Sequence, residues 1–283
     1  MRPGLEILRL AALVAERGAP DSDEQEGGFG QTDASALGLV EPSEMWPEVE
    51  RGLMSRTPSV MIRSLQDCGA LEFVLPEVAA LFGVPQIAEN ATGVDIGEHL
   101  LHALDEAARR FAPLEVRFAL LTMNVGKGDS PREHLPVHYR HIERGRPRIE
   151  NICSRFGVPG ACRELALLAL EECERMHRVS AVRAGPVAAL LERVGAFSNP
   201  ARFKLLMAVS SCDYAAYGER SEAAQDEGDP YPKAALLDTA LRVCAELDEE
   251  DFEGDDAESD VQAARAVAIA EAFRSQRWSN EPT

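Results

Sequence analysis

No apolar run in this sequence approaches the roughly 20 residues that a membrane span needs. The N-terminal stretch interleaves Glu6, Arg9, Glu16 and Arg17 with its apolar residues, so the unbroken apolar segment of a secretory leader is missing there. The cysteines, Cys68, Cys153, Cys162, Cys173, Cys212 and Cys244, include no Cys-x-x-Cys pair. Scattered among apolar helical neighbours, they read as small core residues in a reducing compartment, and a cytoplasmic protein is expected. Basic residues are scarce: 29 Lys and Arg face 48 Asp and Glu, for a net charge of −19. Neutralising a phosphate backbone requires clustered cations, so composition alone argues against strong nucleic-acid binding.

Common catalytic signatures are missing too. The chain has no G-x-x-x-x-G-K-[ST] phosphate loop and no G-x-S-x-G nucleophile turn. The glycines at 27–30 lack the preceding strand and following helix of a dinucleotide site. Gly126-Lys127-Gly128 reads as a helix end, where glycine serves as a cap.

What the sequence does contain is helical periodicity. Residues 5–17 predict an amphipathic helix stopped by Gly18, and the Gly-, Asp- and Ser-rich stretch after it predicts a mobile loop. Thr57-Pro58 reads as an N-cap followed by proline at the first helical position. A helix over 97–111 places Leu100, Leu104, Ala107 and Phe111 on one face, and the next, after Pro113, runs on to Gly126. Further helices are predicted over about 146–156, after Pro159, after Asn199-Pro200, over about 232–247 and over about 261–277. The one after Pro159 is the most apolar and is expected to lie deep. Ten acidic residues fall between Glu246 and Asp260, the pattern of a solvated linker. The fold class is all-α: a multi-helix bundle with no sheet of consequence.

His99 and His102 share a three-residue spacing that His138 and His141 repeat, and His177 ends the apolar helix. A hydrolytic metal site needs several such ligands together with carboxylates. On spacing alone, ordinary surface and capping roles are favoured over a metal site.

Several blocks carry a resemblance to a known family. SLQDCGALEFVLPEVAALFGVPQ (64–86), VDIGEHLLHAL (94–104), VRFALLTMNVGKG (116–128), HLPVHYRH (134–141), RFGVPGACRELALLALEECERMH (155–177) and AFRSQRW (272–278) resemble, in order, the bacterial CCA-adding tRNA nucleotidyltransferases and their C-terminal HD phosphohydrolase domain. LRLAALVAERG (8–18) resembles the neck helix of that family. The resemblance implies a remnant neck helix at 1–18, a flexible loop at 19–40 and a body-like helical segment at 41–92. It further implies a degenerate HD-like domain at 93–245, an acidic linker at 246–260 and a C-terminal helix and tail at 261–283.

The family's polymerase head precedes the neck, and its signature is not found in this sequence. Of two neck arginines that read the incoming nucleotide, Arg9 matches the second and Glu6 stands at the first. Arg9 is thus the one nucleotide-binding candidate, and nucleotidyl transfer by this chain alone is not expected. The family's His-Asp pair reads Met123-Asn124 here, and a further family histidine falls at Cys173. Asparagine lacks the negative charge that holds and bridges a divalent metal, and methionine's thioether is a poor ligand for nickel, magnesium or manganese. No catalytic residue and no cofactor are therefore expected. A divalent metal such as nickel or magnesium is expected only if the remaining pocket histidines, His99, His138, His141 and His177, have rebuilt the site. The expectation is a stand-alone, non-catalytic homologue with a regulatory or tRNA-processing-associated role. Its partners would be weakly bound tRNA, a protein, or a separately encoded nucleotidyltransferase head, with no membrane involvement. The alternatives are a metal-dependent phosphohydrolase with a rebuilt site and the tail half of a split CCA-adding enzyme.

Overall fold

Proline opens helix after helix. Pro42, Pro58, Pro76 and Pro200 each sit in the first helical turn, where the missing N–H forfeits no intrahelical bond. The computed structural model describes residues 3–18, 34–88, 91–217, 231–247 and 257–279. Its helices are α1 (Pro3–Arg17), α2 (Pro42–Leu53), α3 (Pro58–Asp67) and the short α4 (Leu71–Val74) and α5 (Pro76–Ala79). A hairpin of β1 (Pro85–Ala88) and β2 (Ala91–Asp95) follows. The chain continues through α6 (Ile96–Arg109), α7 (Leu114–Thr122), α8 (His141–Phe156), α9 (Gly160–Arg178) and α10 (Ala184–Arg193). It ends with α11 (Pro200–Ala215), α12 (Ala234–Ala245) and α13 (Ala257–Ser279). Among the described residues the protein is all-α, as its periodicity implies, apart from one antiparallel two-stranded sheet. None of the described helices is long and apolar enough to cross a membrane.

The hairpin has a register shift between Gln86 and Ile87, opposite Gly93. Gly93 takes φ +79°, a left-handed conformation open to glycine without strain, as a bulge at this position requires.

Several expectations are corrected in detail. Helix α7 lies deepest: every residue from Val116 to Thr122 is buried. The helix after Pro159, α9, is buried on one face only, through Cys162, Leu165, Ala166, Ala169, Leu170 and Cys173, because its other face carries charges such as Arg163 and Glu164. Phe111, expected on a buried face, is 90% exposed, because α6 ends at Arg109 and Phe111 itself turns to φ +53°. Thr57 does stand at the N-cap of α3 with Pro58 in the first turn, but its side chain makes no capping bond there; its hydroxyl donates to the Ala15 carbonyl at 2.7 Å and so satisfies the end of α1 instead. Residues 34–39, within the expected loop, form a 3₁₀ turn that buries Leu37. Residues 19–33 of that loop, and 248–256 of the acidic linker, lie outside the described residues.

Among the described residues, a cluster of buried apolar side chains extends from Ile7 to Phe273 and runs through the expected boundary at 92/93. Trp46 of α2 packs its ring edgewise on Phe118 of α7 at 5.9 Å and tilted on Phe156 of α8 at 6.3 Å. Arg117 of α7 is buried and donates to the carbonyls of Ala112 (2.9 Å), Leu53 (2.7 Å) and Ser55 (2.8 Å). Burial pulls its pKa below the usual guanidinium value. Helices α6, α9 and α11 pack around this framework and bring the polar cluster described next to one place.

Candidate functional site

The site is centred on an aspartate that the histidine spacing does not reveal. Asp213 stands on α11, where Phe203, Leu206, Ser210 and Asp213 follow a three-to-four-residue spacing, so the carboxylate falls on the helix's buried stripe. His99 of α6 meets it through Nε2 at 2.9 Å from Oδ1, and His177 of α9 through Nε2 at 3.0 Å from Oδ2. Burial would raise the Asp213 carboxyl, but the charges and hydrogen bonds of His99 and His177 hold it well below the usual carboxylate range. Burial would likewise lower His177; the adjoining Cys173 sulfur and the Asp213 carboxylate prevail and carry its pKa up to about 10.

A second layer fixes these rings. The Tyr217 ring stacks on His99 at 3.9 Å between centroids. Tyr231 places its hydroxyl 3.1 Å from Nδ1 of His177. Both phenols are pushed above the ordinary tyrosine value, chiefly by burial. Cys173, one helical turn before His177, lies with its sulfur 3.5 Å from His177 Nε2 and 3.7 Å from Ser210 Oγ. The ring nitrogen Nδ1 of His99 is buried without a hydrogen-bond partner.

The four expected pocket histidines therefore divide. His99 and His177 share Asp213, whereas His138 and His141 belong to a separate constellation around Lys127. His138 donates from Nε2 to the Pro85 carbonyl at 3.0 Å and accepts at Nδ1 from the Ser130 hydroxyl at 2.8 Å, which itself accepts from Arg144 at 2.8 Å. His141 donates from Nδ1 to the His138 carbonyl at 2.8 Å, and its Nε2 lies 3.5 Å from Glu174. Burial and the Lys127 ammonium push both imidazoles below their usual pKa. Lys127 is buried, 3.2 Å from Glu174 and 3.3 Å from the Gln86 side-chain oxygen. The Gln86 amide nitrogen donates to Tyr217 at 2.9 Å, so this one side chain joins the two constellations.

The reading of Gly126-Lys127-Gly128 as a helix end needs correction. Helix α7 ends at Thr122 with Met123 as C-cap, and the lysine is part of the polar cluster. Gly126 instead allows close packing on α8, since a Cβ there would collide with the backbone of His141 and Gly145. Met123 is buried in the apolar core, and the Asn124 carbonyl accepts from the Lys127 N–H at 2.8 Å. His102 is exposed, although it is only three residues from His99. Arg9 donates to Glu6 at 2.9 Å and to Glu48 at 3.1 Å, so its guanidinium is already matched by two carboxylates.

As a donor set, Cys173, His177 and Asp213 are the one group among the described residues whose sulfur, nitrogen and oxygen atoms converge within 4.8 Å in the manner of metal ligands. The set does not suit the hard-ion chemistry of magnesium, which demands oxygen ligands.

No protein-family profile matches the chain. Curated relatives do match. A Multifunctional CCA protein of Cupriavidus necator is 39% identical over 243 residues, 84% of this chain and 58% of that protein. One from Burkholderia cenocepacia HI2424 is 39% identical over 247 residues, 85% of this chain and 58% of the relative. Another B. cenocepacia protein, from strain J2315, is 41% identical over 216 residues, 76% of this chain and 51% of the relative. The chain thus spans little more than half the length of the relatives it matches. With that identity sustained over most of its own residues, this chain is related to the multifunctional CCA proteins.

Proposed function

We propose that this chain acts in tRNA 3′-end handling as an interaction protein, without nucleotidyl-transfer or HD-type phosphohydrolase chemistry of its own. The observation that carries this reading is the state of the pocket. Among the described residues, Asp213 is the one carboxylate that His99 and His177 meet, and no second carboxylate stands beside them. Positions 123 and 124, where the resembling family has His-Asp, offer neither an imidazole nor a carboxylate. A bridging carboxylate and its metal-activated water are what phosphate-ester hydrolysis at such a site requires. Arg9, the one residue matching a nucleotide-reading position, is held by Glu6 and Glu48, which favours structure over triphosphate recognition.

The test is direct. The purified chain, supplied in turn with nickel, magnesium and manganese, should not hydrolyse 2′,3′-cyclic nucleotides, and should add neither CMP nor AMP to a tRNA lacking its CCA end. Metal-dependent turnover that disappears in His99→Ala would overturn the non-catalytic reading and establish a rebuilt phosphohydrolase. Nucleotide addition that requires a separately supplied head would instead establish a split enzyme.

A further inference from the structure

The proposed role in tRNA handling makes no use of the convergence of Cys173, His177 and Asp213. Cys173 and His177 are four residues apart on α9 and so face one way, toward Asp213 on α11. The Cys173 sulfur is 3.5 Å from His177 Nε2, and that nitrogen is 3.0 Å from Asp213 Oδ2. A tetrahedral zinc ion, with bonds of about 2.3 Å to sulfur and about 2.0 Å to nitrogen and oxygen, separates its sulfur and nitrogen ligands by roughly 3.5 Å. It separates nitrogen and oxygen by roughly 3.3 Å. The sulfur–nitrogen and nitrogen–oxygen separations are thus within a few tenths of an ångström of a coordination sphere, and all three donor atoms lie within 4.8 Å of one another.

The surroundings fit as well. Ligating imidazoles are normally oriented through their second nitrogen, and the hydroxyl of Tyr231 occupies that position on His177 Nδ1 at 3.1 Å. Ligating carboxylates are normally held through the other oxygen, and His99 Nε2 holds Asp213 Oδ1 at 2.9 Å. Cys173 and Asp213 are both buried, which shields the centre from bulk water. A thiolate, an imidazole and one carboxylate oxygen form a borderline-soft set that selects zinc and its congeners over magnesium or calcium.

We propose that Cys173, His177 and Asp213 form a site for a thiophilic divalent transition metal of the zinc class, with Tyr231 and His99 orienting the ligands. On loading, the Nε2 proton of His177 and the thiol proton of Cys173 pass to solvent, and the freed lone pairs bind the metal. The ion then cross-links α9 to α11. His138 and His141 take no part. This inference goes beyond the non-catalytic reading and does not depend on it. Phosphate-ester turnover by the zinc-loaded protein would overturn that reading and leave the site standing.

The experiment uses the full chain, stripped with chelator and titrated with zinc or cobalt(II). One equivalent should bind and raise the melting temperature. The cobalt complex should show a near-ultraviolet thiolate-to-metal charge-transfer band and tetrahedral visible bands. Cys173→Ser should abolish the charge-transfer band, His177→Ala should weaken binding by about tenfold or more, and His138→Ala should change neither. X-ray absorption of the zinc-loaded wild type requires no variant and should report one sulfur beside nitrogen and oxygen scatterers. Failure to bind one equivalent, a shell without sulfur, or a charge-transfer band that survives Cys173→Ser would each overturn the proposal.

Discussion

Arg117 shows how one residue can hold together parts of the chain that are distant in sequence. Its guanidinium is buried and spends its donors on three backbone carbonyls: Leu53 at the end of α2, Ser55 just beyond it, and Ala112 before α7. Helix C-terminal carbonyls need partners, and a cation there also opposes the helix dipole. Replacing it by methionine keeps much of the volume but leaves these acceptors dry and unmatched. Arg117→Met should therefore cost about 3 kcal/mol in urea unfolding; a change under about 0.5 kcal/mol would show that water reaches those carbonyls. The histidines teach a complementary lesson. Their spacings identify candidate residues, but not partners. His99 and His177 are joined by Asp213, which is 114 residues from the first and 36 from the second. No local pattern encodes that meeting, and the acid itself looks like an ordinary interruption of an apolar helix.

Elements were legible in proportion to their length and periodicity. The long helices announce themselves through apolar stripes, prolines at their starts and Asn199, whose side chain accepts from the Arg202 N–H at 3.1 Å. The hairpin does not: its strands span four and five residues and contain Pro85, Ala88, Ala91 and Gly93, none of which favours a strand. Helix α10 is hidden in the sequence for a related reason, since Gly185 and Pro186 open it with residues that usually mark a loop. The end of α6 carries a charge cluster with a definite pH signature. Glu106 accepts from Arg109 at 2.6 and 3.0 Å and from Arg110 at 2.5 Å. Burial would raise its pKa, but the two arginines hold it below the usual value. A depressed carboxyl contributes stability that is present above its unfolded pKa of about 4.3 and is lost as pH falls through the lower folded value. The stability difference between wild type and Glu106→Gln should accordingly be level above about pH 5 and shrink as pH falls below about 4. A difference that grew on acidification would reverse the assignment.

At the scale of the whole molecule, charge decides how nucleic acid is met. The positive residues that the sequence offers near 140–148 are largely committed. Arg140 pairs with Glu143, Arg146 with Glu171 and Arg148 with Asp129, while Arg144 donates to the Gly126 and Tyr139 carbonyls. With a net charge of −19, tRNA binding should fall near the non-specific range of roughly 10⁻⁴–10⁻⁶ M. Deleting residues 246–260, which removes ten acidic groups, should tighten it, and added salt should abolish it. Gel-shift titration at two salt concentrations measures both effects; nanomolar, salt-tolerant binding would mean that specific contacts override the field.

The single core has a consequence for synthesis. A nascent chain emerges from its N-terminus, and Trp46 must wait for Phe118 and then Phe156 before its ring is enclosed. The segment that carries Trp46 therefore leaves the ribosome with an indole uncovered, and the segments on either side of the hairpin complete one another late rather than maturing in turn.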